Sequence, residues 1–162
     1  MILYHGSNVE VQNPRIITTN RGLDFGSGFY LTSDVEQATR WSILKTKRRG
    51  SGMPILSVFE FDNEIEKSDV IVRKFTKPNR EWLNFVVDNR KGQYSGKLFD
   101  VVIGPVANDK TILTINDYIS GAISEETALI LLEPSKLTDQ YAFLTYAGLQ
   151  TLKFKEAIVN VE

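Results

Sequence analysis

Asp24-Phe25-Gly26-Ser27-Gly28-Phe29-Tyr30-Leu31-Thr32 is the stretch whose reading decides the rest of the chain. Two glycines two apart lead into aromatic, aliphatic and β-branched residues, the composition of a short strand reached through a tight turn. The order is informative. In a dinucleotide fingerprint the glycines follow a strand and open a helix, whereas here they precede a strand and the third glycine is missing. No Gly-Lys-Ser/Thr closes the run, so it is not a phosphate loop. Asp24-Phe25-Gly26 also stands without the other segments of a kinase. Ser33-Asp34 ends the strand and begins a helix, with Ser33 or Asp34 as its cap and Glu36 in its first turn. Val35, Ala38, Trp41, Ser42 and Lys45 share one face at helical spacing. The helix runs out in Lys47-Arg48-Arg49-Gly50, a basic terminus that suits the macrodipole and reads as a solvated helix end.

Working outward, Met1 to Tyr4 reads as a strand ended by Gly6 and Ser7. Val9 to Asn20 is irregular, with Asn13-Pro14 as a turn signal. Ile55 to Asp62 alternates as a strand does, placing Ile55, Ser57, Phe59 and Phe61 on one face. Ile65 to Phe75 is mixed, with Val70-Ile71-Val72 as an extended piece. Pro78 introduces a helix over Asn79 to Asn89 whose Trp82, Phe85 and Val86 have the spacing of a core face. Phe99 to Val106 is a strand closed by Gly104-Pro105. Ile115 to Ser120 and Glu125 to Leu132 are helical, the second capped by Ser124. Gln140 to Thr145 and Glu156 to Val161 are strands, and Gly148 to Leu152 fits neither template. Strands and helices alternate without a strict βαβα rhythm, which favours a mixed or antiparallel α+β fold. The length, 162 residues, suits a single domain over 1–162.

Apolar residues make up 42% and charged residues 24%, with a net charge of -1. That balance gives no global pull toward nucleic acid or anionic lipid. Cysteine is absent and His5 is the single histidine, which excludes thiolate nucleophiles, cysteine-based zinc sites and histidine clusters, so no metal is expected. No apolar run has the length of a membrane span. The opening Met1-Ile2-Leu3-Tyr4-His5-Gly6 lacks a basic segment followed by an apolar one, so the expected location is the cytoplasm, with no membrane partner.

Three features remain that could act together. His5 ends an apolar strand and could donate a hydrogen bond to a ligand hydroxyl, with Gly6 and Ser7 allowing close approach to the backbone. Tyr30 and Trp41 are two aromatic faces able to sandwich a flat ring, and a cationic ring would gain cation–π attraction as well. Arg80 and Arg90 flank the Trp82 helix and read as surface residues, although either could reach a phosphate.

Together these residues resemble the ADP-ribosyltransferase superfamily. Tyr4-His5-Gly6-Ser7 is similar to its first motif, and Gly26-Ser27-Gly28-Phe29-Tyr30-Leu31 to its second. Trp41 falls where poly-ADP-ribose-polymerase-like members place a second stacking aromatic. Trp82 to Arg90, Asp100 to Asp109 and Gln140 to Phe143 resemble further segments of a small bacterial family in the His-Tyr branch, so the likeness spans about residues 3–154. It implies a split mixed β-sheet with flanking helices and NAD as co-substrate. His5 would bind the adenosine ribose, the Gly6 backbone the carboxamide, and Tyr30 and Trp41 the nicotinamide ring, with Ser7 in the same motif. Gln140, His5 and Tyr30 would then be the catalytic set. Gln140 stands where the superfamily usually has a glutamate. It can bind a ribose hydroxyl but supplies no negative charge. Asp139 points to the other face of its strand, and Asp109, in the loop after the Phe99 to Val106 strand, is the substitute carboxylate that the sequence suggests. The implied activity is transfer of ADP-ribose to a protein or nucleic-acid acceptor, in the manner of a bacterial toxin paired with an antitoxin protein. The alternatives are an NAD-binding module without turnover and an NAD glycohydrolase.

Overall fold

The computed structural model describes residues 1–19, 22–62, 64 and 69–159. The chain is an α+β protein with two sheets. β1 (Ile2–Ser7), β3 (Ile55–Phe61) and β7 (Leu152–Val159) form the first, in the order β1-β3-β7 and antiparallel throughout. β2 (Phe29–Leu31), β6 (Asp139–Phe143), β5 (Val101–Pro105) and β4 (Val72–Lys74) form the second, in the order β2-β6-β5-β4, with β4 parallel to β5. The sheets meet at one bridge, where Tyr4 and Thr32 exchange backbone bonds of 2.8 and 3.0 Å.

Pleating divides the second sheet's side chains. Phe29, Leu31, Val101, Tyr141 and Phe143 face the first sheet and bury against Leu3, Phe59 and Phe61. Val102 and Ala142 face the other way, into a cluster built with Trp82, Leu83, Phe85 and Val86 of α2 (Arg80–Arg90), Ile115 of α3 (Asp109–Ser120) and Leu132 of α4 (Glu125–Leu132). The central strand β3 is buried on both faces from Leu56 to Phe59, so its alternation in sequence separates two interiors rather than core from solvent. α1 (Val35–Arg49) lies against the first sheet. Its cap is Asp34, whose carboxylate accepts from the Glu36 and Gln37 N–H groups, and it ends at Gly50. The contact is close because β1 presents a glycine there: a Cβ on Gly6 would stand 2.0 Å from the Ala38 carbonyl oxygen.

The elements depart from the sequence reading at several ends. Gly6 and Ser7 do not terminate β1; they pair with Leu56 and Ile55. The extended piece near Val72 runs forward to Lys74 rather than back to Val70, because β5 pairs with it there. α3 begins at Asp109, six residues before Ile115, because the Asn108 side chain caps it by accepting from Thr111 N–H. The undecided stretch splits into a short helix, α5 (Tyr146–Leu149), and the start of β7. The expected Glu156 to Val161 strand is found to Val159; its last two residues, Asn20 of the irregular stretch, and 65–68 lie outside the described residues.

Candidate functional site

The bridge between the two sheets brings His5 beside β2. The His5 Nδ1 lies 2.7 Å from the Tyr30 carbonyl oxygen, and its ring stacks on Phe29 with centroids 4.2 Å apart. A carbonyl only accepts, so Nδ1 carries the proton. Desolvation against that wall dominates and lowers the His5 pKa to about 4, the Tyr30 carbonyl opposes it, and the Lys45 charge lowers it further. The ring is therefore neutral near pH 7, and Nε2 is a lone-pair acceptor. This corrects the expected role: His5 offers a ligand hydroxyl an acceptor, while its donor is held by Tyr30.

His5, Ser7, Phe29 and Tyr30 line a cavity of about 940 Å³ that also holds Lys45, Arg49 and Arg15. Three cations face one carboxylate there, Glu10, whose Oε1 accepts from Gln12 Nε2 at 2.6 Å. Lys45 is partly withdrawn from water, and burial, with the Arg49 charge second, lowers its pKa from the usual value. Arg49 belongs to the cavity as well as to the basic helix end. Ser7 is buried, with its hydroxyl toward Asn8 Oδ1 at 3.4 Å. Gly6 is not among the lining residues, but its backbone is oriented. Tyr4 exchanges both its bonds with Thr32, so alternation along β1 turns the N–H and C=O of Gly6 to the same side, toward the β2 edge.

A smaller recess of about 350 Å³ shares Tyr30 with this cavity and is lined by Tyr30, Trp41, Gln140, Asp24, Arg90, Gly22 and Leu23. The antiparallel pairing of Tyr30 with Ala142 puts Tyr30 on the same face as Gln140, two residues along β6. Gln140 is 4% exposed. Its Nε2 donates long bonds of 3.4 Å to Asp24 Oδ2 and to the Pro105 carbonyl, which also accepts from Trp82 Nε1 at 3.0 Å. Asp24 Oδ1 accepts from Arg90 Nε at 2.7 Å.

Tyr30 belongs to both spaces, but its hydroxyl is engaged. It donates to the Gly26 carbonyl at 2.6 Å and accepts from Phe25 N–H at 3.0 Å. Burial raises its pKa well above the ordinary tyrosine value, the Phe25 bond opposes that, and the Asp24 charge adds to it. The ring is what a ligand could meet; the hydroxyl fixes the Phe25–Gly26 turn, where Gly26 adopts φ 98°, a conformation suited to glycine.

Two expectations fail here. Asp109 is an exposed first-turn residue of α3 rather than a loop carboxylate, because Asn108 starts the helix just before it, and it is not among the residues lining the recess with Gln140. Arg90 is not a surface residue; its side chain is 20% exposed and bound to Asp24, whereas Arg80 pairs on the surface with Glu125. Asp139 bonds Ser33 N–H and Oγ and Thr32 Oγ1, away from Gln140 as strand alternation requires. Asp24 was not readable as a partner of Gln140, since no spacing links residues 116 apart.

Among the described residues no group of three or more histidine, aspartate or glutamate side chains is placed to hold a metal ion. No helix there is long and apolar enough to cross a membrane. A family model described as "Protein of unknown function (DUF3990)" matches residues 1–154. The chain belongs to this family. No curated protein and no solved structure matches it. The matched span of this DUF3990 chain includes both recesses.

Proposed function

We propose that the chain binds NAD across Tyr30 and transfers its ADP-ribose to a macromolecular acceptor, protein or nucleic acid. The observation that carries the reading is that His5 and Tyr30 line one cavity with three cations, while Tyr30, Trp41 and Gln140 line a second recess. The larger volume is within the range of small-molecule sites. Lys45, Arg49 and Arg15 suit a pyrophosphate. The neutral His5 Nε2 suits a ribose hydroxyl. The Tyr30 and Trp41 rings suit the cationic nicotinamide, and the Gly6 backbone groups turned to the β2 edge suit its carboxamide. Gln140 then contacts the nicotinamide-side ribose. Cleavage breaks the bond from C1′ to the nicotinamide nitrogen, nicotinamide leaves with the electron pair, and the ribose becomes oxocarbenium-like. The acceptor's lone pair forms the new bond to C1′. An antitoxin partner and a cytoplasmic setting belong to the same reading.

A second reading has one observation in its favour. Gln140 is neutral, which suits a module that holds NAD without turning it over. Parallel incubations with NAD labelled in the nicotinamide and NAD labelled in the adenine half separate the two. Transfer expects nicotinamide release that His5→Ala and Tyr30→Ala each abolish, with label from the adenine half appearing on the acceptor. Tight NAD binding without release supports the module, and free ADP-ribose as the product makes the chain a glycohydrolase.

A further inference from the structure

We infer that Asp24, held by Arg90 beside Gln140, is the carboxylate that serves the reaction in place of the missing glutamate; this rests on the proposed reaction with NAD. Among the described residues Asp24 is the one acid that lines the Tyr30–Trp41–Gln140 recess. Its side chain is 13% exposed. Arg90 Nε holds Oδ1 at 2.7 Å, while among the described residues Oδ2 has a single long contact, 3.4 Å from Gln140 Nε2. One oxygen is thus anchored and the other is directed to the residue that occupies the glutamate's place. The turn carrying Asp24 is fixed in its own right, because the Tyr30 hydroxyl bonds both Phe25 N–H and the Gly26 carbonyl.

Three other acids are engaged or exposed. Asp139 is bonded by Ser33 and Thr32, Glu10 by Gln12 in the larger cavity, and Asp109 is exposed on α3. An oxocarbenium ion needs negative charge close by, in a site shielded from water. Asp24 meets that need where Gln140 cannot. The acceptor is a hydroxyl, amine or water whose lone pair joins C1′; its proton passes to Asp24 Oδ2 and then to solvent, while nicotinamide carries away the electron pair of the broken bond.

The test is nicotinamide release at saturating NAD, beside NAD affinity by calorimetry and thermal unfolding. Asp24→Asn is expected to slow release at least about a hundredfold while the Kd for NAD stays within about threefold. Asp24→Ala is expected to recover about tenfold on addition of formate, a response that a structural role would not give. Asp24→Asn leaves a guanidinium without its partner, so Asp24→Asn/Arg90→Gln, which has no unpaired charge, repeats the measurement in a chain that keeps its fold. Release within about threefold of the unaltered chain in either variant overturns the Asp24 role alone. An unaltered chain that neither binds NAD nor releases nicotinamide overturns the proposed reaction and this role together. Binding without release overturns the Asp24 role and leaves an NAD-binding module.

Discussion

The cavity that holds His5 and the recess that holds Gln140 share Tyr30 but differ in volume, about 940 against 350 Å³, and in what surrounds them. The first is walled by β1 and β2 and carries cations from α1 and the irregular segment after β1. The second is closed by a polar chain, Arg90 to Asp24 to Gln140 to the Pro105 carbonyl, anchored beneath by Trp82. A large basic space suits holding a dinucleotide; a small one with a fixed acid suits acting on one bond. In the proposed reaction, binding and bond cleavage therefore fall to two spaces that share Tyr30.

The largest effect expected on the cavity side concerns stability. His5 has a pKa of about 4 in the folded chain against an ordinary 6.5. Between those values the unfolded chain binds a proton that the folded chain does not, so stability contributed by neutral His5 is present above 6.5 and is lost as pH falls toward 4. The full loss is at most about 3 kcal/mol. Denaturant unfolding at pH 7, 5.5 and 4 should show this decline, and His5→Gln should flatten it relative to the unaltered chain. An equal decline in both would break the assignment of His5 as a desolvated wall.

Next comes the partition itself. Tyr30→Phe keeps the ring and removes the hydroxyl, leaving Phe25 N–H and the Gly26 carbonyl without their partner. A loss of about 1–2 kcal/mol in stability is expected. NAD affinity should change little while nicotinamide release falls, because the turn that carries Asp24 loosens. The smallest effect sharpens the contrast: Lys45→Met should weaken NAD binding about tenfold and leave binding of free nicotinamide unchanged, since only the dinucleotide carries phosphate. Equal weakening of both ligands would move Lys45 to the ring side.

The two sides were also unequally legible in the sequence. His5, Ser7, Tyr30 and Trp41 stand out because strand ends, glycines and paired aromatics are local signals, and these residues line the two spaces. α1 could be read to its caps because Asp34 and Gly50 are themselves cap chemistry. The Asp24–Arg90–Gln140 chain could not, because it joins a turn, a helix end and a strand that only the β2–β6 pairing brings together. The tautomer of His5 was equally hidden, being set by a carbonyl 25 residues away. The early start of α3 rests on Asn108, a capping residue that stands ahead of a helical apolar pattern strengthening only later.

The seat of α1 on β1 has a bearing on how relatives of this chain should be sought. Any side chain at position 6 would collide with the Ala38 carbonyl, whatever occupies the cleft. A glycine after the histidine is thus a requirement of architecture, and a search keyed to it gathers chains that share the scaffold whether or not they share its chemistry. Pairing an acid at position 24 with a basic residue at position 90 is the more discriminating query.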